Sequence, residues 1–473
     1  MKDYVMKIGV EVHAEIKTKT KAFCSCANEF GAIPNTLVCP VCYGLPGAIP
    51  SINKEAFKKV IATGIILGSD IARHTMFERK NFFYPDRPKG YQLVQYSNPI
   101  CKRGRVVLGN GKEVILNRIH LEEDSGKLIH DSVSGNTFID FNRSGVPLVE
   151  IVAEPIELSA DEVVEYIHKL KKILIFGDVS DCLSAKGGYR FDVNISVCPK
   201  EKDLGTRVEL INLSSSKDVK SAINYEFDRQ VSLLQSGERV VQETRVWSRD
   251  LEKTYAIRPK EMVSDYRHIV DPDLKMIKIT REDIEKIKKT IPEGVVSRKY
   301  RYLSLGLNSE QVEVLISEKF ISDYFDETLK LINEPHEIAH WLLTDIMHEY
   351  KVQNKPGFDT IISAENLAKI IELCKTRQIS SINAQNLFNE VVATGKSTET
   401  VAKELEIIGK VTDKEIADVV DEILDEDFDI IGDFHKNPQH VMNFFVGKIK
   451  TMTGGRASVE TVHNVTSDIL KKK

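Results

Sequence analysis

Residues 7 to 17, KIGVEVHAEIK, alternate without a break: Ile8, Val10, Val12, Ala14 and Ile16 share one parity, and Glu11, His13 and Glu15 share the other. This period of two predicts a half-buried strand with one apolar and one wet face. Further strands are predicted at residues 105 to 108, 113 to 122, 137 to 141, 147 to 153, 189 to 197 and 206 to 213, so the sheet is antiparallel or mixed. One helix interrupts them. Ser159 and Glu162 form a capping box, Val163, Val164, Ile167, Leu170 and Leu174 make its stripe, and Gly177 stops it. Beyond Pro292 the apolar spacing turns helical at 308 to 333, 336 to 352, 364 to 374 and 380 to 394, and from about residue 398 the patterns shorten. Thirteen of the sixteen prolines and nineteen of the twenty-seven glycines precede residue 295, so the turn-rich part ends there. The expected fold class is α+β: an antiparallel or mixed-sheet domain over 1–294, a helical domain over 295–397 and a small helical tail domain over 398–473.

Composition narrows the class without changing that picture. The chain has 473 residues, a formal net charge of −5 and 29% charged residues, which excludes a disordered or fibrous chain. No apolar run approaches the ~18 to 20 residues that span a bilayer, so no membrane role is expected and the expected address is cytoplasmic. Charge is uneven at the end of the chain. Residues 411 to 433 carry ten acids and one Lys, whereas residues 434 to 473 carry seven basic residues against Glu460 and Asp468. A basic end of this kind offers a dock for a polyanion; its plainer reading is a solvated tail.

Four of the eight cysteines crowd into Cys24-x-Cys26 and Cys39-Pro-x-Cys42. Two close pairs on a short loop suit one tetrahedral, structural Zn²⁺, and a closed four-thiolate site has no open position for catalysis. The alternative is four reduced thiols without metal. Glu11, His13 and Glu15 on one strand, with Glu122, Glu123 and Asp124 at the end of another, make an acid-rich set that is costly to assemble unless a cation or substrate neutralises it. Two tempting motifs fail. Gly395-Lys396-Ser397-Thr398 has Glu390 where a phosphate loop requires Gly, and Ser214 to Ser216 lack the glycines that would expose a nucleophile.

The segments GVEVHAEI, RKNFFYPDRPKGYQLVQYSNPI, HLEEDSGK and DFNRSGVPLVEIVAEP, in this order, closely resemble the B subunits of the aspartyl/glutamyl-tRNA(Asn/Gln) amidotransferases, the GatB/GatE family. RFDVNISV, QETR, DYRH, Trp341-Leu342-Leu343 and the terminal FFVGKIK with GGRAS extend the likeness over nearly the whole chain. The resemblance implies a cradle-like catalytic domain, a helical domain and a YqeY-like tail. It also implies a heterotrimer with an amidase-type A subunit, which frees ammonia from glutamine, and a small C subunit. The implied reaction uses ATP and Mg²⁺ to phosphorylate the side-chain carboxylate of Glu on tRNA(Gln) or Asp on tRNA(Asn), then replaces phosphate with ammonia. A carboxylate oxygen is a poor leaving group and phosphate a good one.

Carried onto this chain, the resemblance implies Glu11, His13, Glu123 and Glu150 as magnesium ligands and Asp192 as a further catalytic residue. Lys80 would neutralise nucleotide phosphate, Asn81 and Tyr84 would shape the pocket, and Asn142, Arg143 and Arg190 would position substrate or phosphate. The plainer reading of residues 81 to 85 is a turn with an aromatic plug, and His120 reads as an ordinary strand histidine. Lys448, Lys450 and Arg456 would meet the tRNA. Departures from the family pattern cluster at 184 to 188, 211 to 214 and 268 to 271, where His268-Ile269-Val270-Asp271 replaces an aromatic-Pro-acidic run. A zinc-stabilised tRNA-binding protein with a decayed pocket is the rival reading, and a stand-alone metal hydrolase is a distant third.

Overall fold

The opening alternation becomes β1 (Tyr4–Glu15), the middle of an 11-stranded sheet. The structure, a computed structural model, describes residues 4–202, 204–213, 215–259, 266–353, 357–405, 407, 411–426, 437–453 and 457–471. β2 (Glu78–Asn81) and β3 (Tyr91–Val94) pair in a separate small sheet with Ile269–Val270. The large sheet continues with β4 (Glu113–Glu123), β5 (Pro147–Ala153), β6 (Tyr189–Pro199), β7 (Val208–Ile211), β8 (Glu243–Ser248) and β9 (Lys253–Pro259). Its order runs β9-β8-β7-β6-β1-β5-β4 and then two short strands. β7 and β8 run parallel, and the other neighbours among β1 and β4 to β9 run antiparallel. The sheet is mixed, and the fold is α+β.

One face of this sheet is a core. Val10, Val12, Ala14, Ile119, Leu121, Val149, Ile151, Val193 and Ile195 are fully buried there. They share that core with Val60 and Ile61 of α1 (Lys54–Ile66), Val163 and Leu170 of α2 (Ala160–Phe176), and Val219 and Ile223 of α3 (Ser216–Gln235). Each such aliphatic side chain contributes about 1.5 to 3 kcal/mol, so β1 is pinned in register, because a one-residue slip would bury Glu11, His13 and Glu15 instead. α2 starts where the capping box requires, with the Ser159 hydroxyl accepting from the Glu162 N–H at 3.2 Å and the Ser159 N–H donating to the Glu162 carboxylate at 2.8 Å. The pattern missed β2, β3, β8, β9, α1 and α3. β2 reads ERKN and carries no apolar alternation; it is a strand because β3 and Ile269–Val270 flank it on both edges.

The residues sort into two compact units, Met1–Val295 and Val296–Lys473. In the second unit the 308 to 333 pattern divides into Ser309–Leu315 and Lys319–Leu331, and the 336 to 352 pattern runs from Pro335 to Gln353 with a wide π-type turn at Leu342–Ile346. Ala364–Lys375 and Ser381–Thr394 follow, and Gly395, at φ +67, ends the latter as a left-handed cap. Val411, Ile416, Val420, Val441, Phe445, Val462 and Leu470 gather a core of their own near the end of the chain. No helix among the described residues is long and apolar enough to cross a membrane.

Candidate active site and metal centre

The polar face of the sheet brings distant stretches of sequence into rows. His120, Glu150, His13 and Arg190 lie opposite one another across β4, β5, β1 and β6, and Arg118, Val152, Glu11 and Asp192 form the next row. Alternation puts these side chains on the side away from the core. His13, Glu122 and Glu150 each place one donor atom within 4.8 Å of the others. His120 Nε2 lies 2.9 Å from Glu150 and 3.8 Å from Glu122, and His13 Nε2 lies 3.9 Å from Glu150. Gln92 of β3 donates to Glu122, which fixes that carboxylate.

Electrostatics follow from this crowding. Burial works to raise the Glu150 carboxyl, but His120, a hydrogen bond with Glu122 and the charge of His13 outweigh it and hold it well below the usual range. Burial also works to lower His120, yet the facing carboxylates raise it. Asp192 is pushed up to about 6, chiefly by burial, with Glu11 and Glu209 adding to the rise. Glu11 accepts from Asn194 Nδ2 at 2.8 Å. Two adjoining buried carboxylates beside an imidazole, with a further acid denied full ionisation, are a donor set that fits a hard divalent cation.

Several expected site residues are placed otherwise. Glu123 leaves β4 on the face opposite Glu122; its carboxylate lies 2.5 Å from the Lys89 ammonium and accepts the Leu93 N–H at 2.9 Å, so it is a buried ion pair and does not stand with His13 and Glu150. Glu122, one residue earlier, is the acid of this segment that lies with His13 and Glu150. Asn142 is spent on the cysteine loop: its Oδ1 accepts the Leu37 N–H at 2.8 Å and its Nδ2 donates to Ile33 O at 2.7 Å. Arg143 donates to Asp124 at 2.6 Å and to Gly187 O at 2.8 Å. Asn81 donates to Arg267 O at 2.7 Å, which makes it a turn clamp. Arg190 reaches Asp124 from the other side at 3.0 Å and keeps 44% of its side chain exposed. Lys80 and Tyr84 lie together in an aromatic group around Phe82.

The cysteines do converge. Cys24, Cys26, Cys39 and Cys42 place their sulfurs within 4.8 Å of one another, with Cys42 at 4.0 Å from Cys26 and 3.9 Å from Cys39. Four sulfurs at ~2.3 Å from one Zn²⁺ stand ~3.8 Å apart, so the four thiols fit that ion. Hydrogen bonding from Cys24 pulls the Cys42 thiol down to about 4, with Cys39 N–H and the Lys21 ammonium helping, and burial pushes Cys26 up to about 11. Lys21 is fully buried, 3.7 Å from the Cys42 sulfur, and donates to Leu37 O at 2.8 Å. Gly145 sits at φ +87 where the turn after Arg143 passes Cys42, and an added Cβ would come within 3.4 Å of it. In the second unit Lys448 and Lys450 lie on the helix Pro438–Met452, and Lys448 Nζ is 5.9 Å from the Phe444 ring centroid; Arg456 lies outside the described residues.

Comparison with known proteins decides the family. Residues 6–285 match the model of the GatB/GatE catalytic domain, and residues 323–472 match that of the GatB domain. The chain belongs to the GatB/GatE family. It is similar along its length to the B subunit of the aspartyl/glutamyl-tRNA(Asn/Gln) amidotransferase of Carboxydothermus hydrogenoformans, 37% identical with 100% of each chain covered. It is likewise similar to the proteins of that name from Brevibacillus brevis, 38% identical over 99% of each chain, and from Caldicellulosiruptor bescii, 39% identical over 99% of this chain and 100% of that one. The carboxylate row and the cysteine cluster both fall inside the GatB/GatE catalytic match. Of the departures from the GatB pattern, Asp271 keeps a structural task, since it is buried and pairs with Arg79 at 2.6 Å.

Proposed function

We propose that this chain is the B subunit of a glutamine-dependent tRNA amidotransferase, working in the cytoplasm with an amidase-type A subunit and a small C subunit. The γ-phosphoryl group of ATP passes to a side-chain carboxylate oxygen of Glu on tRNA(Gln) or Asp on tRNA(Asn), and ADP leaves. Ammonia delivered by the A subunit then attacks the carbonyl carbon, the bond to phosphate breaks, and the amide remains after loss of one proton. The observation that carries this reading is the meeting of His13, Glu122 and Glu150 within 4.8 Å on the polar face of a GatB/GatE catalytic domain.

Phosphoryl transfer asks a protein for positioning and charge neutralisation more than for covalent chemistry. His13, Glu122 and Glu150, with Glu11 and Asp192 on the same face, would hold a magnesium ion, which would supply charge neutralisation for the nucleotide phosphates. His120 locks Glu150 in orientation, and Gln92 does the same for Glu122. Lys80, which pairs in β-register with Gln92, brings a cation to the same side. Arg190 adds a second, half-exposed cation beside His13. Zinc held by Cys24, Cys26, Cys39 and Cys42 ties down the loop that Asn142 and Lys21 grip, a structural task. Residues 295–397 form a helical domain and residues 398–473 a YqeY-like domain whose Lys448, Lys450 and Arg456 meet tRNA phosphates.

The test is ATP hydrolysis by the assembled heterotrimer with misacylated tRNA. Glu122→Gln and Glu150→Gln are expected to abolish tRNA-stimulated hydrolysis while tRNA binding persists. Wild-type complex that binds tRNA without hydrolysing ATP would instead support a binding protein with a decayed pocket.

A further inference from the structure

Lys21 is fully buried beside the cysteine loop, and among the described residues no carboxylate pairs with it. Lys89, the other lysine drawn into this part of the fold, has Glu123 as its counter-charge. The Lys21 ammonium donates to Leu37 O at 2.8 Å and to Phe141 O at 3.4 Å, and it lies 3.7 Å from the Cys42 sulfur. Both carbonyls are neutral. Of the three partners only the sulfur can carry a full negative charge. An ammonium taken out of water without a counter-charge is strongly destabilising, so its place against Cys42 needs a physical reason.

The surrounding backbone sets that place. Lys21 N–H donates to Cys26 O at 3.0 Å, Asn53 Nδ2 donates to Lys21 O at 3.2 Å, and Ala22 N–H donates to Gly145 O at 2.8 Å. The aliphatic stem runs past Gly145, where an added Cβ would meet Cys42 Cβ at 3.4 Å and Lys21 Cδ at 3.5 Å. Cys42 is fixed as firmly: the Ser144 hydroxyl donates to its carbonyl at 3.1 Å, and the Cys39 N–H donates to its sulfur at 3.2 Å.

Charge then separates the two states open to the four cysteines. Four neutral thiols leave the ammonium uncompensated. A divalent zinc with four thiolates keeps a surplus of two negative charges, and burying that surplus is costly in its turn. The ammonium and the zinc–thiolate group each relieve the other.

We propose that Lys21 is the built-in counter-cation of the zinc centre, offsetting part of the charge of the four thiolates through Cys42 and so strengthening retention of the metal. The inference rests on the zinc reading of Cys24, Cys26, Cys39 and Cys42 and deepens it. Lys21 touches no substrate; it acts through the metal centre, as groups that hydrogen-bond to metal ligands do.

The test is zinc affinity of the heterotrimer, measured by competition with a chromophoric chelator. Lys21→Met keeps most of the stem and removes the charge, and it is expected to weaken zinc binding about 10- to 100-fold. In a Cys26→His background the centre carries one negative charge fewer, so the same substitution is expected to cost clearly less. Equal losses in the two backgrounds assign Lys21 to packing alone and overturn the proposal. Unchanged affinity in Lys21→Met, with zinc present in the wild type, overturns it and leaves the zinc centre standing; wild-type protein that takes up no zinc overturns both. Should Lys21→Met alone fail to fold, folding of the pair Lys21→Met with Cys26→His supports the proposal, and failure of the pair where Cys26→His folds by itself overturns it.

Discussion

Glu122 and Glu123, adjacent on β4, point to opposite faces of the sheet: Glu122 joins His120, His13 and Glu150, whereas Glu123 is buried against the Lys89 ammonium at 2.5 Å. The two carboxylates therefore have different physics. Glu122 adjoins the Glu150 carboxylate and two imidazoles, and Glu123 is already neutralised by Lys89.

Replacement separates them. Glu123→Gln leaves a buried lysine without its counter-charge and is expected to cost on the order of 3 kcal/mol of stability. Glu122→Gln removes a like-charge contact and is expected to leave the unfolding midpoint unchanged or raised. Chemical denaturation of both variants checks this, and equal losses would contradict the assignment.

The parity that distinguishes these two residues was present in the sequence. Ile119, Leu121 and Glu123 share one face of the strand, and Arg118, His120 and Glu122 share the other, so the apolar pair already marked Glu123 as core-facing. The resemblance was carried over letter by letter and takes no account of parity, whereas the fold sets Glu123 against Lys89 on the face opposite Glu122. β1, β4, β5, β6 and α2 were legible because alternation or a capping box acts locally. The roles of Asn142 and Arg143 were not, because their partners Leu37, Ile33, Asp124 and Gly187 are brought to them only by the folded sheet. The aromatic group is equally long-range, joining residues near 82 with Tyr266 and His268.

Asp124 supplies a pH dependence. Burial alone would raise its carboxyl, but Arg190 and then Arg143 outweigh burial and hold it below 3.8. A depressed acid adds stability that is present above its unfolded value and lost as pH falls through its folded one. Acid unfolding of the wild type is therefore expected to steepen below about pH 4. Asp124→Asn is expected to flatten that dependence and to cost about 3 kcal/mol at neutral pH, since two arginines lose their partner. An unaltered acid profile in Asp124→Asn would contradict the role.

Metal analysis of purified protein is expected to find one zinc per chain. Cys42→Ser is expected to lose it and to lower the melting temperature, because binding a structural zinc supplies roughly 10 kcal/mol or more to local folding. Protein with full stability and no zinc would remove this centre.

On the tail helix, Lys448→Glu with Lys450→Glu is expected to raise the Michaelis constant for charged tRNA steeply at low salt. It should also make the salt dependence shallower by about one unit of slope for each lysine that meets a phosphate. An unchanged constant at low salt would count against docking of the tail.

The central claim is that His13, Glu122 and Glu150 together hold the cation that prepares phosphoryl transfer to the aminoacyl end. Its most direct measurement is ATP hydrolysis by the heterotrimer, with and without misacylated tRNA, in wild type and in Glu122→Gln. The account predicts stimulation by misacylated tRNA in the wild type and none in the variant, with tRNA affinity retained in both. Full stimulation in Glu122→Gln would contradict it.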